Sequence, residues 1–121
     1  MSDVRVGIVG AGANTTTKHI PLLQAIDGVE IVGVANRGES SSSAVAKRFG
    51  IPKTYGHWEQ AVADPDTNAI VIGTWPYLHC PVTLAAIGAG KHVLTEARMA
   101  MNAAEARCML DASLARPGLV A

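Results

Sequence analysis

The chain has 121 residues, 49% of them apolar and 17% charged, with ten lysines and arginines against ten aspartates and glutamates. That length holds one domain, and a net charge of zero argues against the basic footprint of a nucleic-acid binder or a polybasic membrane anchor. Aromatics at 4% leave no stacking platform for single strands, and no apolar run approaches the ~20 residues that span a bilayer.

Val4 to Val9 reads as the first strand, and with no basic region ahead of it no secretory leader is expected. The turn Gly10-Ala11-Gly12-Ala13-Asn14-Thr15 follows, and then a helix carrying Ile20, Leu23 and Ile26 up to Asp27-Gly28. Val29 to Ala35 is a second strand. The serines Ser40 to Ser43 are N-cap material for a helix through Val45 and Phe49 to Gly50-Ile51-Pro52. Lys53 to Tyr55 supplies a short third strand, and His57 to Ala63 a short helix closed by Asp64-Pro65-Asp66. Ala69 to Gly73 is a fourth strand, Pro81 to Ala89 a helix, and His92 to Thr95 a fifth strand. The last helix has Asn102 as its cap, Glu105 at the capping-box position, and a stripe of Ala106, Met109, Leu110, Ser113 and Leu114.

The strands are nearly all apolar rather than alternating, which suits a sheet covered on both faces. Strand–helix alternation then predicts right-handed βαβ units and a doubly wound parallel α/β sheet of Rossmann type. Leu119-Val120-Ala121 stands where a further strand would begin, so the expectation is a piece of a longer protein, against the alternative of a short self-contained domain whose last strand ends there. Cys80 and Cys108 lie far apart and the four histidines lack metal-ligand spacing; the expectation is reduced thiols, a cytoplasmic protein and no metal site.

The glycine turn nearly matches G-x-G-x-x-G in its strand–turn–helix context. Gly10 permits the tight turn. Gly12 lacks the Cβ that would hold a diphosphate off the backbone, and Ala13 and Asn14 open the helix whose free amides face the phosphates. Thr15 takes the place of the third glycine, so the helix is expected to sit farther off or to begin later. At the end of the second strand Asn36 stands where an acidic residue would select NAD, with Arg37, Ser40 and Ser41 beside it. A guanidinium without a neighbouring carboxylate favours a 2′-phosphate, so NADP is the expected cofactor and NAD the alternative; Arg37 could otherwise stack on the adenine or point to solvent.

These features, with His19-Ile20-Pro21, Val34 to Arg37, Asp64 to Asp66, Thr74 to His79, Ala89 to Leu94, Glu96, Asn102 and Ala104 to Arg107, resemble the amino-terminal domain of the glucose–fructose oxidoreductase/inositol dehydrogenase (Gfo/Idh/MocA) family. The resemblance implies hydride transfer between a nicotinamide and a CH–OH carbon of a sugar, polyol or related compound. It also implies a following substrate domain, absent here, that carries the oligomer interface; a homo-oligomer is one expected assembly. By the same resemblance His79 and Glu96 fall among cofactor-site residues. The family's Glu-Lys-Pro reads Glu96-Ala97-Arg98 here, and its Thr-Pro reads Thr74-Trp75. Alanine moves no proton, so Arg98 becomes a candidate for binding substrate as a fixed cation, against the alternative of a surface arginine. Trp75 flanks the cofactor or fills a gap. His79 otherwise caps a helix, Glu96 otherwise pairs with an arginine, and Cys80 is packed rather than reactive. A non-catalytic NADP-binding sensor is the competing function.

Overall fold

The computed structural model describes residues 3–121. Five strands form one parallel sheet: β1 (Val4–Val9), β2 (Val29–Ala35), β3 (Lys53–Thr54), β4 (Ala69–Ile72) and β5 (His92–Thr95), in the order β3-β2-β1-β4-β5. The strands thus fan out to either side of β1, and the switch of direction falls between β1 and β4.

Both faces are covered, which is why the strands read as apolar runs. Successive side chains of a strand point to opposite faces. Val6 and Ile8 of β1 join Val34 and Val71 in one core; Val9, Ile70 and Ile72 join Ala35 and Val93 in the other. The first core lies under α1 (Ile20–Gln24) and α2 (Glu39–Phe49), through Ile20 and Ala46. The second lies under α3 (Trp58–Ala63) and α4 (His79–Gly88), through Ala61, Val82 and Ala86. Burying a Val- or Ile-sized side chain contributes about 1.5–3 kcal/mol, so these two layers carry most of the stability. The final helix, α5 (Ala103–Ala115), packs on α4.

Several elements differ from the sequence expectation. Ile26 lies beyond α1 in the turn and is 52% exposed. The N-cap of α2 is Gly38 rather than a serine, and the serines occupy its first turns. Ser42 is buried there because its Oγ accepts from the Asn36 amide at 2.8 Å. His57 is the N-cap of α3 rather than its first residue, β4 stops at Ile72, one residue short of Gly73, and α4 begins at His79, just after a 3₁₀ turn at Pro76–Leu78. Asn102 caps α5 as expected, with Glu105 N donating to Asn102 Oδ1 at 2.8 Å. The Glu105 carboxylate accepts from Met101 N at 2.9 Å, one residue before the cap, rather than closing a capping box on Asn102 N. Its stripe is not buried throughout: Met109 is covered while Leu110 and Leu114 are exposed. After α5 the chain turns back along β5, where Val93 N donates to Val120 O at 2.9 Å.

A polar knot ties α3 to the amino-terminal ends of β4 and β5. Tyr55 Oη donates to Asp64 Oδ2 at 2.6 Å, and Lys53 Nζ donates to the same oxygen at 3.0 Å and to Asp66 Oδ2 at 2.6 Å. The buried Lys91 ammonium donates to Asp64 O and Thr67 Oγ1, each at 2.6 Å. Burial pushes the Asp64 carboxyl up, but the hydrogen bonds from Tyr55, the Asp66 amide and Lys53 outweigh it and bring it down to about 2. Burial pushes the Lys91 ammonium below its usual range.

Candidate functional site

The register puts the strand ends at one rim. Val9 pairs with Ala35 and Ile72, and Ile72 with Thr95, so Gly10, Asn36, Gly73 and Glu96 all leave the sheet at the same edge. Open parallel sheets bind ligands there, outside the carboxyl ends of strands at the switch point.

Gly10 has φ 85°, and a Cβ on it would lie 2.6 Å from the Thr74 amide nitrogen. No side chain fits, on conformation and on space alike. A Cβ on Gly12 meets nothing within 4 Å and projects into open space above the turn. The turn is held from beside: Ala11 N donates to Asn36 Oδ1 at 3.1 Å, and Asn36 Nδ2 donates to Ala11 O at 3.3 Å. Both polar groups of the Asn36 amide therefore serve the glycine turn.

Thr15 does not delay the helix. Residues 13 and 14 are already helical, and Thr15 is 2% exposed. The room is made on the other partner, since a Cβ on Gly73 would lie 2.1 Å from Thr15 Oγ1. The glycine that permits close helix–strand approach has moved from the helix to the end of β4. The helix then runs through a π-helical turn, Thr15–His19, ahead of α1. Such π turns are rare and occur frequently at functional sites. Here the His19 ring meets Glu96.

Above the turn lies a cleft of ≈ 650 Å³, lined by Gly10, Gly12, Asn36, Arg37, Ser41, Thr74 and Trp75 among others. Most of the residues expected from the sequence to hold a nucleotide are thus brought to one cavity. It is also lined by His57, Trp58 and Glu59 at the start of α3, and by Tyr77 and Leu78 after β4. The sequence signal for the first three was the carboxyl end of the short third strand, where the strand-end rule applies as it does to the others. Arg37 Cζ lies 4.8 Å from the centroid of the Trp75 ring, within cation–π range.

Ala13, Asn14, His79, Glu96 and Arg98 do not line this cleft. Glu96 Oε1 accepts from Asn14 Nδ2 at 2.5 Å and faces His19 Nε2, while its Oε2 accepts from Ala97 N at 3.2 Å. The His19 hydrogen bond leads in holding the Glu96 carboxyl below its usual range. Its partners are thus a histidine and an asparagine rather than an arginine. The His79 ring is 1% exposed, with Nδ1 2.9 Å from Arg98 O and Nε2 2.9 Å from Thr74 O. It makes no helix cap; it joins the loops after β4 and β5. Arg98 is exposed and left-handed, at φ 57°, a conformation that costs a non-glycine residue about 1–2 kcal/mol. Cys80 is packed, with its thiol pushed up by burial. Among the described residues no group of three or more His, Cys, Asp or Glu could hold a metal ion, and no helix is long and apolar enough to cross a membrane.

A family model described as "Oxidoreductase family, NAD-binding Rossmann fold" matches residues 4–119. The chain is 38% identical over 109 residues to trans-1,2-dihydrobenzene-1,2-diol dehydrogenase of Mus musculus, covering 88% of this chain and 32% of that protein. It is 38% identical over 109 residues to 1,5-anhydro-D-fructose reductase of Ensifer adhaerens, covering 90% and 32%. Among solved structures it is similar to biliverdin reductase from Synechocystis in complex with biliverdin and NADP+, with 26% identity and a TM-score of 0.89 over 97% of this chain and 36% of that one. The chain spans about a third of the length of these relatives.

Proposed function

This chain belongs to the Gfo/Idh/MocA oxidoreductase family, as its NAD-binding Rossmann domain, and from that premise we propose that it binds NADP(H) for an enzyme acting on CH–OH groups of a sugar, diol or related compound. The observation that carries the reading is the empty space over Gly12, directly above a turn whose neighbouring position, Gly10, admits no side chain at all. Backbone amides open to that space suit a diphosphate. Arg37 and Ser41, on the same cleft wall, supply donors for a 2′-phosphate where a carboxylate would favour a bare ribose. The relatives' names support the substrate class, and the NADP+ bound to biliverdin reductase supports the cofactor.

When bound, the nicotinamide accepts or returns a hydride. This chain's residues orient it: Gly10 and Gly12 let the backbone approach, Asn36 braces the turn, and His79 and Glu96 tie together the loops beyond. Arg98 is the candidate cation for substrate, from a loop that His79 holds by its carbonyl oxygen. The substrate-binding domain belongs to the longer parent protein, which we place in the cytoplasm on the strength of two free cysteines. A homo-oligomer assembled through that domain is part of the same reading.

Titration of NADPH and NADH against this chain tests the cofactor; equal or reversed affinities refute the argument from Asn36 and Arg37. Ala97, where the family has its lysine, favours a second reading as a non-catalytic NADP-binding sensor. Hydride transfer by the full-length parent on a panel of polyols and aldoses separates the two, because tight NADPH binding with no turnover selects the sensor. Comparison of Arg98→Ala with the wild-type parent tests Arg98, and unchanged kcat/KM removes it from the mechanism.

A further inference from the structure

The geometry points to Trp75 as a positioning residue for coenzyme choice: its indole holds the Arg37 guanidinium so that the guanidinium edge faces a 2′-phosphate. The inference rests on the NADP reading above.

The two side chains come from loops that are not neighbours. Arg37 follows β2 and Trp75 lies beyond β4, with β1 between those strands. Their contact, at 4.8 Å from Cζ to ring centroid, therefore spans the cleft across the glycine turn. Arg37 is exposed, and an arginine on an open loop samples many rotamers unless something holds it. A guanidinium carries all its N–H donors in its plane, so stacking uses the face and leaves the edge free to donate. Ser41, at the start of α2, lines the same cleft. The charged and titratable groups sharing this wall are Arg37, Glu59, His57 and Tyr77. Among the described residues Arg37 is thus the cleft's one fixed cation, and its aim decides whether the cavity favours a phosphate over the repulsion of Glu59.

The backbone that carries the indole is itself fixed. Pro76 follows Trp75, and a residue before proline is confined to extended backbone; Trp75 has φ −65° and ψ 151°. Thr74 Oγ1 donates to Trp75 O at 3.1 Å, and the His79 ring holds Thr74 O at 2.9 Å. Trp75 is 66% exposed, so nothing in the core requires an indole there. A proline, which the family carries at this position, offers a cation no comparable π-face.

The test is calorimetric titration of the 121-residue chain with NADPH and with NADH, for wild type, Trp75→Ala, Trp75→Phe, Arg37→Ala and the double variant, with circular dichroism melts as the folding control. Trp75→Ala lowers the NADPH-to-NADH preference by about two- to fivefold, the fold-change equivalent of an exposed cation–π contact. Trp75→Phe restores most of it. Arg37→Ala removes the preference, and adding Trp75→Ala to it lowers the ratio no further. If Trp75→Ala weakens both coenzymes alike and leaves the ratio unchanged, the indole serves adenine directly and the inference is overturned. It is overturned equally if Trp75→Ala still narrows the ratio in the Arg37→Ala background. A wild-type chain that binds the two coenzymes equally, or binds neither, defeats the NADP reading and this inference together.

Discussion

Replacing Gly12 by alanine separates folding from binding. A Cβ at Gly12 meets no atom of the protein within 4 Å, and its backbone lies outside the positive-φ region that Gly10, Gly28, Gly50, Gly90 and Arg98 occupy. Alanine there strains nothing, and by restricting the unfolded chain it adds about 0.4–1 kcal/mol of stability. The same methyl group stands in the space assigned to the diphosphate. Forcing an extra methyl into a close contact costs about 1–3 kcal/mol, which weakens NADPH binding by about five- to 150-fold. Thermal melts of the free chain and calorimetric titration with NADPH measure the two effects side by side. Gly12→Ala should melt at or above the wild-type temperature while losing most of its affinity. An alanine variant that binds NADPH as wild type does shows that the amides of this turn do not face the phosphates, and the cofactor assignment falls with it.

Gly73→Ala tests the relocated glycine: its Cβ would lie 2.1 Å from Thr15 Oγ1 and 2.7 Å from the Gly10 carbonyl oxygen, so stability falls by about 1–3 kcal/mol in denaturant melts. Adding Thr15→Ala to it recovers part of the loss, the Gly10 carbonyl remaining in the way, and full recovery or none contradicts the assignment. The Asp64 carboxyl, held at about 2 against an unfolded value near ~3.9, contributes on the order of 2 kcal/mol. Because the folded value is the lower one, that contribution is present in full above about pH 4 and is lost as pH falls toward 2. Tyr55→Phe removes a hydrogen bond to a charged oxygen, worth about 1.5–3 kcal/mol, and raises the folded value. Acid titrations of unfolding should show a smaller loss below about pH 4 in the variant than in wild type.

The strands β1, β2 and β4 were legible because each is an apolar, β-branched-rich run largely buried on both faces, and all five strands keep their predicted starts with ends within one residue. The glycine turn was legible because its conformational demand is local: Gly10 sits at positive φ whatever its neighbours do. The effect of Thr15 was not, since it depends on Gly73, which is distant in sequence and adjacent only once β4 pairs with β1. His19 carried no local signal, because its partner Glu96 lies 77 residues away in sequence and meets its ring only in the folded chain. Asn36 lines the cleft, and its amide binds the turn at Ala11, a contact that sequence order hides.

By itself the sequence determined the alternation of strands and helices, the parallel sheet and the tight glycine bend, because periodicity and backbone sterics act over a few residues. Tertiary structure alone decided which loops share the rim, that Arg37 meets Trp75 across β1, and that Glu96 answers to His19 and Asn14. Those contacts depend on strand register, which aligns Val9, Ala35, Ile72 and Thr95 and is set by the packing of the whole sheet rather than by any one segment.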